Sequence, residues 1–145
     1  MRRILIISTG GTFNKVYNRL TGVLDIDRES TSLYQIASKW LCNFELMCII
    51  GKDSLDMTNE DRLELLSHIH QSDVEDIIVI HGTDTMHLTA EYLADAELEK
   101  RIVLTGAMVP YSIDPTEATA NLASAYGYLS ALGEHGVYIA MNGNC

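Results

Sequence analysis

Asp76-Ile77-Ile78-Val79-Ile80-His81-Gly82-Thr83-Asp84-Thr85 is the stretch on which the fold turns. Its apolar part is continuous rather than alternating, and a strand without a polar face is one covered on both sides, as in a parallel sheet between layers of helices. The polar part holds a glycine and threonines that turn the chain, and from Thr85 to Ala96 the spacing becomes helical. Strand, polar turn and helix in that order make half of a βα unit. The same order opens the chain, where Ile4-Leu5-Ile6-Ile7 runs unbroken into Ser8-Thr9-Gly10-Gly11-Thr12.

On either side of these stretches the pattern repeats. Five strands are expected, from Arg3 to Ser8, Phe44 to Ile50, Asp76 to His81, Arg101 to Thr105 and Val137 to Met141. Helices are expected from Thr31 to Trp40, Asn59 to Gln71, Thr85 to Ala96 and Thr116 to Leu132. Leu63, Leu66 and His70 share one face of the second helix, and Leu122, Ala125, Leu129 and Leu132 share one face of the last. Thr58 followed three residues later by Asp61 resembles a capping box with Asp in place of Glu, in a first turn whose acidic residues suit the helix dipole. No repeat or linker interrupts the chain, and its two prolines, Pro110 and Pro115, both fall in the fourth crossover. A single α/β domain over residues 1–145 is predicted, a three-layer αβα sandwich with a mostly parallel sheet of flavodoxin-like or Rossmann-like form. Gly10 to Asp25 is long for a strand-to-helix loop, and loops of that length act as lids or are poorly ordered.

Composition narrows the function. The 145 residues are 47% hydrophobic, enough for one sizeable core. With 20 acidic against 10 basic residues and a formal net charge of -10, no Lys or Arg cluster is available to neutralise a phosphate backbone, so nucleic acid is not an expected partner. The apolar run after Arg2 and Arg3 is too short for a signal-peptide core or a membrane span, and no membrane association is expected. Cys42, Cys48 and Cys145 are odd in number and lack CxxC spacing, which argues against a disulfide framework or structural zinc and fits a reducing cytoplasm. Cys42 and Cys48 read as small strand hydrophobes. His68 and His70 on one predicted helix, His87 one turn into another and His135 in a turn have no metal-ligand context, and neither metal nor organic cofactor is expected. His81 ends a strand, where holding the next loop by hydrogen bonds is favoured over acid–base work.

In an open parallel sheet ligands gather beyond the carboxyl ends of the strands. Those ends are polar here: Thr9-Gly10-Gly11-Thr12, Lys52-Asp53-Ser54-Leu55-Asp56, His81-Gly82-Thr83-Asp84-Thr85 and Thr105-Gly106-Ala107-Met108. The Gly10-Gly11 pair lets backbone approach a ligand and leaves amide N–H groups for a phosphate or an oxyanion. It lacks the GxGxxG spacing and the Lys-Ser/Thr of a P-loop, which weakens a nucleotide reading. A hydroxyl nucleophile needs a proton acceptor and donors for the developing oxyanion, and Thr12 and Thr83 are the hydroxyl candidates. Asp84, expected to be buried, would then pair with a cation such as a substrate ammonium; its alternative role is N-cap of the following helix.

Thr9-Gly10-Gly11-Thr12 and His81-Gly82-Thr83-Asp84-Thr85 resemble the two signatures of the bacterial-type L-asparaginase family. Asp53-Ser54-Leu55-Asp56-Met57, Thr105-Gly106-Ala107-Met108-Val109-Pro110 and Val137-Tyr138-Ile139-Ala140-Met141-Asn142 match it too, in order and at successive strand ends. The resemblance implies an amidohydrolase that converts L-asparagine to L-aspartate and ammonia, with Thr12 attacking the side-chain amide. It implies Thr83 as a second hydroxyl near the scissile amide, Asp84 on the substrate's α-ammonium and Ser54 on its α-carboxylate. Gly11, Gly82 and Ala107 would line the pocket, and Tyr17 is the candidate for the family's loop tyrosine, whose phenol passes a proton. Leu55 stands where larger members carry a polar residue, which implies altered side-chain selectivity.

Two departures accompany the resemblance. The family's proton-handling lysine lies on the loop after the fifth strand, and no lysine follows Lys100 here. Lys52 and Lys15 could approach the site, although solvation is the plainer expectation for both. Full-length members also carry a smaller C-terminal domain, and the abrupt end at Asn142-Gly143-Asn144-Cys145 leads us to expect further C-terminal residues. A homodimer or higher homo-oligomer is expected from the family and from exposed sheet edges. The chief rival is a non-catalytic aspartate- or asparagine-binding domain, which would keep Asp84 and Ser54 without turnover. A nucleotide-binding regulatory module is the third reading.

Overall fold

The computed structural model describes residues 3–11, 15–17, 24–26 and 44–142, with backbone alone at 15–17 and 24–26. Five strands form one parallel sheet: β1 (Ile4–Ser8), β4 (Phe44–Cys48), β5 (Asp76–Ile80), β6 (Arg101–Thr105) and β7 (Gly136–Ile139). Their order across the sheet is β4-β1-β5-β6-β7. Register runs Ile4↔Phe44 to Ser8↔Cys48 on one side of β1 and Ile4↔Asp76 to Ser8↔Ile80 on the other. This is the flavodoxin-like order, and the chain reverses direction across the sheet between β1 and β5.

Both central strands are buried along their whole length, as unbroken apolar runs require. Alternate residues feed two cores. Ile4, Ile6, Ile78, Ile80 and Val103 pack with Ala118, Leu122, Ala125 and Leu129 of α3 (Pro115–Ala131). Leu5, Ile7, Ile77, Val79, Ile102 and Leu104 pack with Leu65 and Ile69 of α1 (Asn59–Gln71) and Met86 and Leu93 of α2 (Met86–Asp95). The three-layer αβα arrangement is thus present.

Several boundaries differ from expectation for local reasons. The second expected strand stops at Cys48 because Ile50 (φ 68) and Gly51 (φ 74) leave the extended region. α1 turns Arg62, Leu65 and Ile69 inward, whereas Leu63 is 52% exposed and His70 is exposed, so the expected Leu63–Leu66–His70 face is off by about one residue. The capping box is present in full: Thr58 Oγ1 accepts from Asp61 N–H at 3.1 Å, and Asp61 accepts from Thr58 N–H at 2.9 Å. Within the expected Gly10–Asp25 loop, β2 (Lys15–Tyr17) and β3 (Leu24–Ile26) pair antiparallel, Lys15 opposite Ile26 and Tyr17 opposite Leu24. Val16, Tyr17 and Ile26 are residue types that favour strands. The expected Thr31–Trp40 helix lies outside the described residues.

Candidate active site

The topological switch point falls between β1 and β5, so the loops leaving their carboxyl ends border the crevice that such sheets use for ligands. Thr9 ties the two ends together: its N–H and its Oγ1 both donate to Ile80 O, at 2.9 and 2.8 Å. Gly11 (φ 84) then presses against the second loop, because a Cβ built on it would lie 2.6 Å from Gly82 N. Gly82 in turn abuts the loop after β4, since its own Cβ would lie 2.8 Å from Ser54 Cβ. No side chain fits at either position, and that is how three loops come into backbone contact.

Of the expected site residues, the structure brings Gly11, Ser54 and Gly82 together. Thr12 lies outside the described residues, as does the Tyr17 side chain. Ser54 is buried, and its Oγ accepts from Thr85 N–H at 3.2 Å, leaving the hydroxyl proton available. Thr83 is half-buried and its Oγ1 donates to Met108 Sδ at 3.2 Å. Ala107, in the loop after β6, is buried and belongs to the core cluster that includes Ile80 and Ala118. Leu55 is 74% exposed, which puts it on the rim rather than in a wall.

Four expectations need correcting. Asp84 is exposed, so burial does not oblige it to find a cation. It is not an N-cap either: Thr85 holds that position, and its hydroxyl donates to Ser54 O at 2.8 Å instead of capping the helix. The Gly11 amide is not open to a ligand, because it donates to Lys52 O at 3.1 Å. Lys52 itself is neither free nor merely solvated, since its Nζ binds Asp61 Oδ2 at 2.9 Å. Burial raises the Asp61 carboxyl, but the Lys52 and Thr58 hydrogen bonds outweigh it and hold the group below its ordinary value.

Behind the loops lies a polar layer in which strand-end reasoning found His81 but missed Glu117 and Asn121. His81 is buried, with Nδ1 2.6 Å from Gly82 O and Nε2 2.8 Å from Thr89 Oγ1, which makes it a support of the loop as expected. Glu117 Oε1 accepts from the N–H groups of Met108 and Val109 at 2.9 and 2.8 Å. Asn121 Nδ2 donates to Gly106 O at 2.8 Å while its Oδ1 accepts from Asn142 N–H at 3.0 Å, pinning the ends of β6 and β7 together. The visible signal for Asn121 was an amide beside Leu122 on an otherwise apolar stripe. Among the described residues no group of three His, Cys, Asp or Glu side chains could hold a metal ion.

A family model described as "Asparaginase, N-terminal" matches residues 3–145. The chain belongs to the asparaginase family. It is similar to the glutaminase-asparaginase of Pseudomonas aeruginosa, 32% identical over 157 residues that cover 98% of this chain and 42% of that protein. It is also similar to a glutamyl-tRNA(Gln) amidotransferase polypeptide of Archaeoglobus fulgidus, 30% identical over 152 residues, 97% of this chain and 35% of that one. Among solved structures, a probable cytoplasmic L-asparaginase from Campylobacter jejuni superposes with a TM-score of 0.80 at 29% identity, covering 98% of this chain and 46% of that chain. The asparaginase-family chain thus spans under half the length of these relatives. The chain is similar to proteins whose names assign them to different amide chemistry, so the likeness fixes the fold and the general class more tightly than the substrate.

Proposed function

We propose that this domain hydrolyses the side-chain amide of L-asparagine, giving L-aspartate and ammonia, with Thr12 as nucleophile. The observation that carries the reading is the backbone contact of Gly11, Gly82 and Ser54 at the switch point, in a chain of the asparaginase family. In the first step Thr12 Oγ attacks the amide carbon, the C–N bond breaks and the nitrogen leaves as ammonia after gaining a proton. Water then cleaves the ester, releasing aspartate and restoring Thr12.

The neighbouring groups take complementary parts. The free proton of Ser54 Oγ suits the α-carboxylate, and exposed Asp84 meets the α-ammonium at the pocket mouth. Thr83 supplies a second hydroxyl. With the Gly82 carbonyl turned to His81, the Thr83 N–H of the same trans peptide points away from the imidazole and serves as a donor to developing negative charge. Gly11, Gly82 and Ala107 form the wall, and Leu55 at the rim tunes which side chain enters. Because Lys52 is held by Asp61, the proton of Thr12 passes instead through Tyr17.

Ammonia release from L-asparagine tests this, run beside calorimetry with L-aspartate. Thr12→Ala is expected to abolish release and leave aspartate binding; aspartate binding without release in the unmutated chain favours the non-catalytic binding domain instead. A homodimer is part of the proposal, supported by the half-exposed edge strands β4 and β7. Assaying the dimer-sized chromatographic fraction checks it, and full activity in a monomer fraction removes it. A reducing cytoplasm is proposed from the exposed free thiol of Cys48, with cell fractionation as its check.

A further inference from the structure

Arg62 is only 6% exposed on the inner face of α1, and it takes no part in the pocket just described. Among the described residues no carboxylate pairs with it, and its hydrogen bonds go to neutral groups. Nε donates to Thr89 Oγ1 at 2.9 Å, Nη2 to Thr85 Oγ1 at 3.3 Å and Nη1 to Asn59 Oδ1 at 3.5 Å. A guanidinium only donates, so each hydroxyl that accepts from it must send its own proton elsewhere. For Thr85 the acceptor is Ser54 O at 2.8 Å. For Thr89 it is His81 Nε2 at 2.8 Å, and an accepting Nε2 leaves the ring proton on Nδ1, which faces Gly82 O at 2.6 Å. Two chains of hydrogen bonds therefore run outward from one cation to the carbonyls of Ser54 and Gly82, residues that touch each other.

We infer that Arg62 is a positioning residue which sets the direction of both chains, fixing His81 as its Nδ1–H tautomer and holding the loops at Ser54 and Gly82 in register for an amino-acid ligand. The tautomer follows from this geometry alone; the ligand rests on the asparaginase reading above. The surroundings of the imidazole agree. Burial holds its proton affinity below the ordinary histidine value, the Gly82 carbonyl opposes this, and the Arg62 charge adds to it. Thr89 comes from α2, Arg62 from α1, and the Thr105 carbonyl of β6 takes the His81 backbone N–H at 3.0 Å; of these groups only Arg62 is charged.

Long-range 15N–1H spectra of the histidine rings, recorded on the full chain across pH, test the inference. Unmutated protein is expected to show His81 protonated at Nδ1 and resistant to acid. Arg62→Met should mix the tautomers and let His81 titrate at higher pH, whereas Arg62→Lys, which keeps a charge and a donor, should retain the Nδ1–H form. Thr89→Val, which cuts the same chain one link further on and leaves Arg62 in place, should repeat the loss and serves if Arg62→Met does not fold. Aspartate affinity should fall at least ~10-fold in Arg62→Met, as for a lost hydrogen bond to a charged group. An Nε2–H tautomer in the unmutated protein, an unchanged His81 spectrum in the variants, or an unchanged affinity beside a changed spectrum overturns the inference. If the unmutated chain binds no aspartate, the asparaginase reading fails on its own and the spectra still decide the role of Arg62.

Discussion

His81 is the residue through which mild acid reaches this fold. Its native proton affinity lies below the ordinary value of 6.5, chiefly because the ring is buried. As pH falls through 6.5 the unfolded chain takes up the proton first, and the native chain follows only at a lower pH. The stability that neutral His81 provides is therefore complete above pH 6.5 and is lost as pH falls from there toward the native value. Urea unfolding at about pH 7.5 and about pH 5.5 should show this loss in the unmutated chain and a smaller one in His81→Gln. An equal pH response in both would contradict it. Gly11, Ser54, Gly82 and Thr83 were legible as candidates because they follow apolar runs, and the end of a buried strand fixes where the next residues go. Arg62 and Thr89 were not, because both lie inside helices, where a one-position error in phase moves a side chain from solvent to core. The expected face errs in this way at Leu63, which is exposed, while its neighbour Arg62 is buried. The exposure of Asp84 was illegible for a different reason: a loop carboxylate carries no periodicity.

α1 owes its position to its first turn. Thr58 and Asp61 exchange hydrogen bonds across the N-terminus, and Asp61 also receives Lys52, so the cap joins the helix to the loop that follows β4. Thr58→Ala should lower the unfolding free energy by about 1 kcal/mol with an unchanged denaturant slope. No change in the urea midpoint would show that tertiary packing alone holds the turn. The capping box was readable because it is a local pattern of residue types at fixed spacing. α3 was readable for the same kind of reason, with Leu122, Ala125 and Leu129 fully buried where its stripe placed them and Leu132, at the C-cap just past the helix, partly buried. The β2–β3 pair was not, since three-residue strands are too short for alternation to stand out from a polar loop.

Across the molecule, the two edges of the sheet hold their polar groups differently. At the amino ends of the strands Arg101 binds Asp76 and Glu75, Arg3 pairs with Glu45, and Lys100 donates to the carbonyls of Ser72 and Val74. At the carboxyl ends hydroxyls, amides and the His81 imidazole stand beside the Lys52–Asp61 pair and exposed Asp84, fastened from behind by Arg62, Glu117 and Asn121. The parallel sheet and the cores on its two faces were implicit in apolar runs separated by helical spacing, whereas the strand order was not, since that pattern fits flavodoxin-like and Rossmann-like sheets equally. How tightly the loops meet was not, because it depends on missing side chains at Gly11 and Gly82 rather than on any present. A 1H–15N titration of the full chain with L-aspartate addresses that meeting point. Shifts should cluster at Gly11, Ser54, Gly82, Thr83, Asp84 and Ala107 and saturate together; shifts scattered over the sheet's amino edge, or saturating separately in the three loops, would mean that they do not form one pocket.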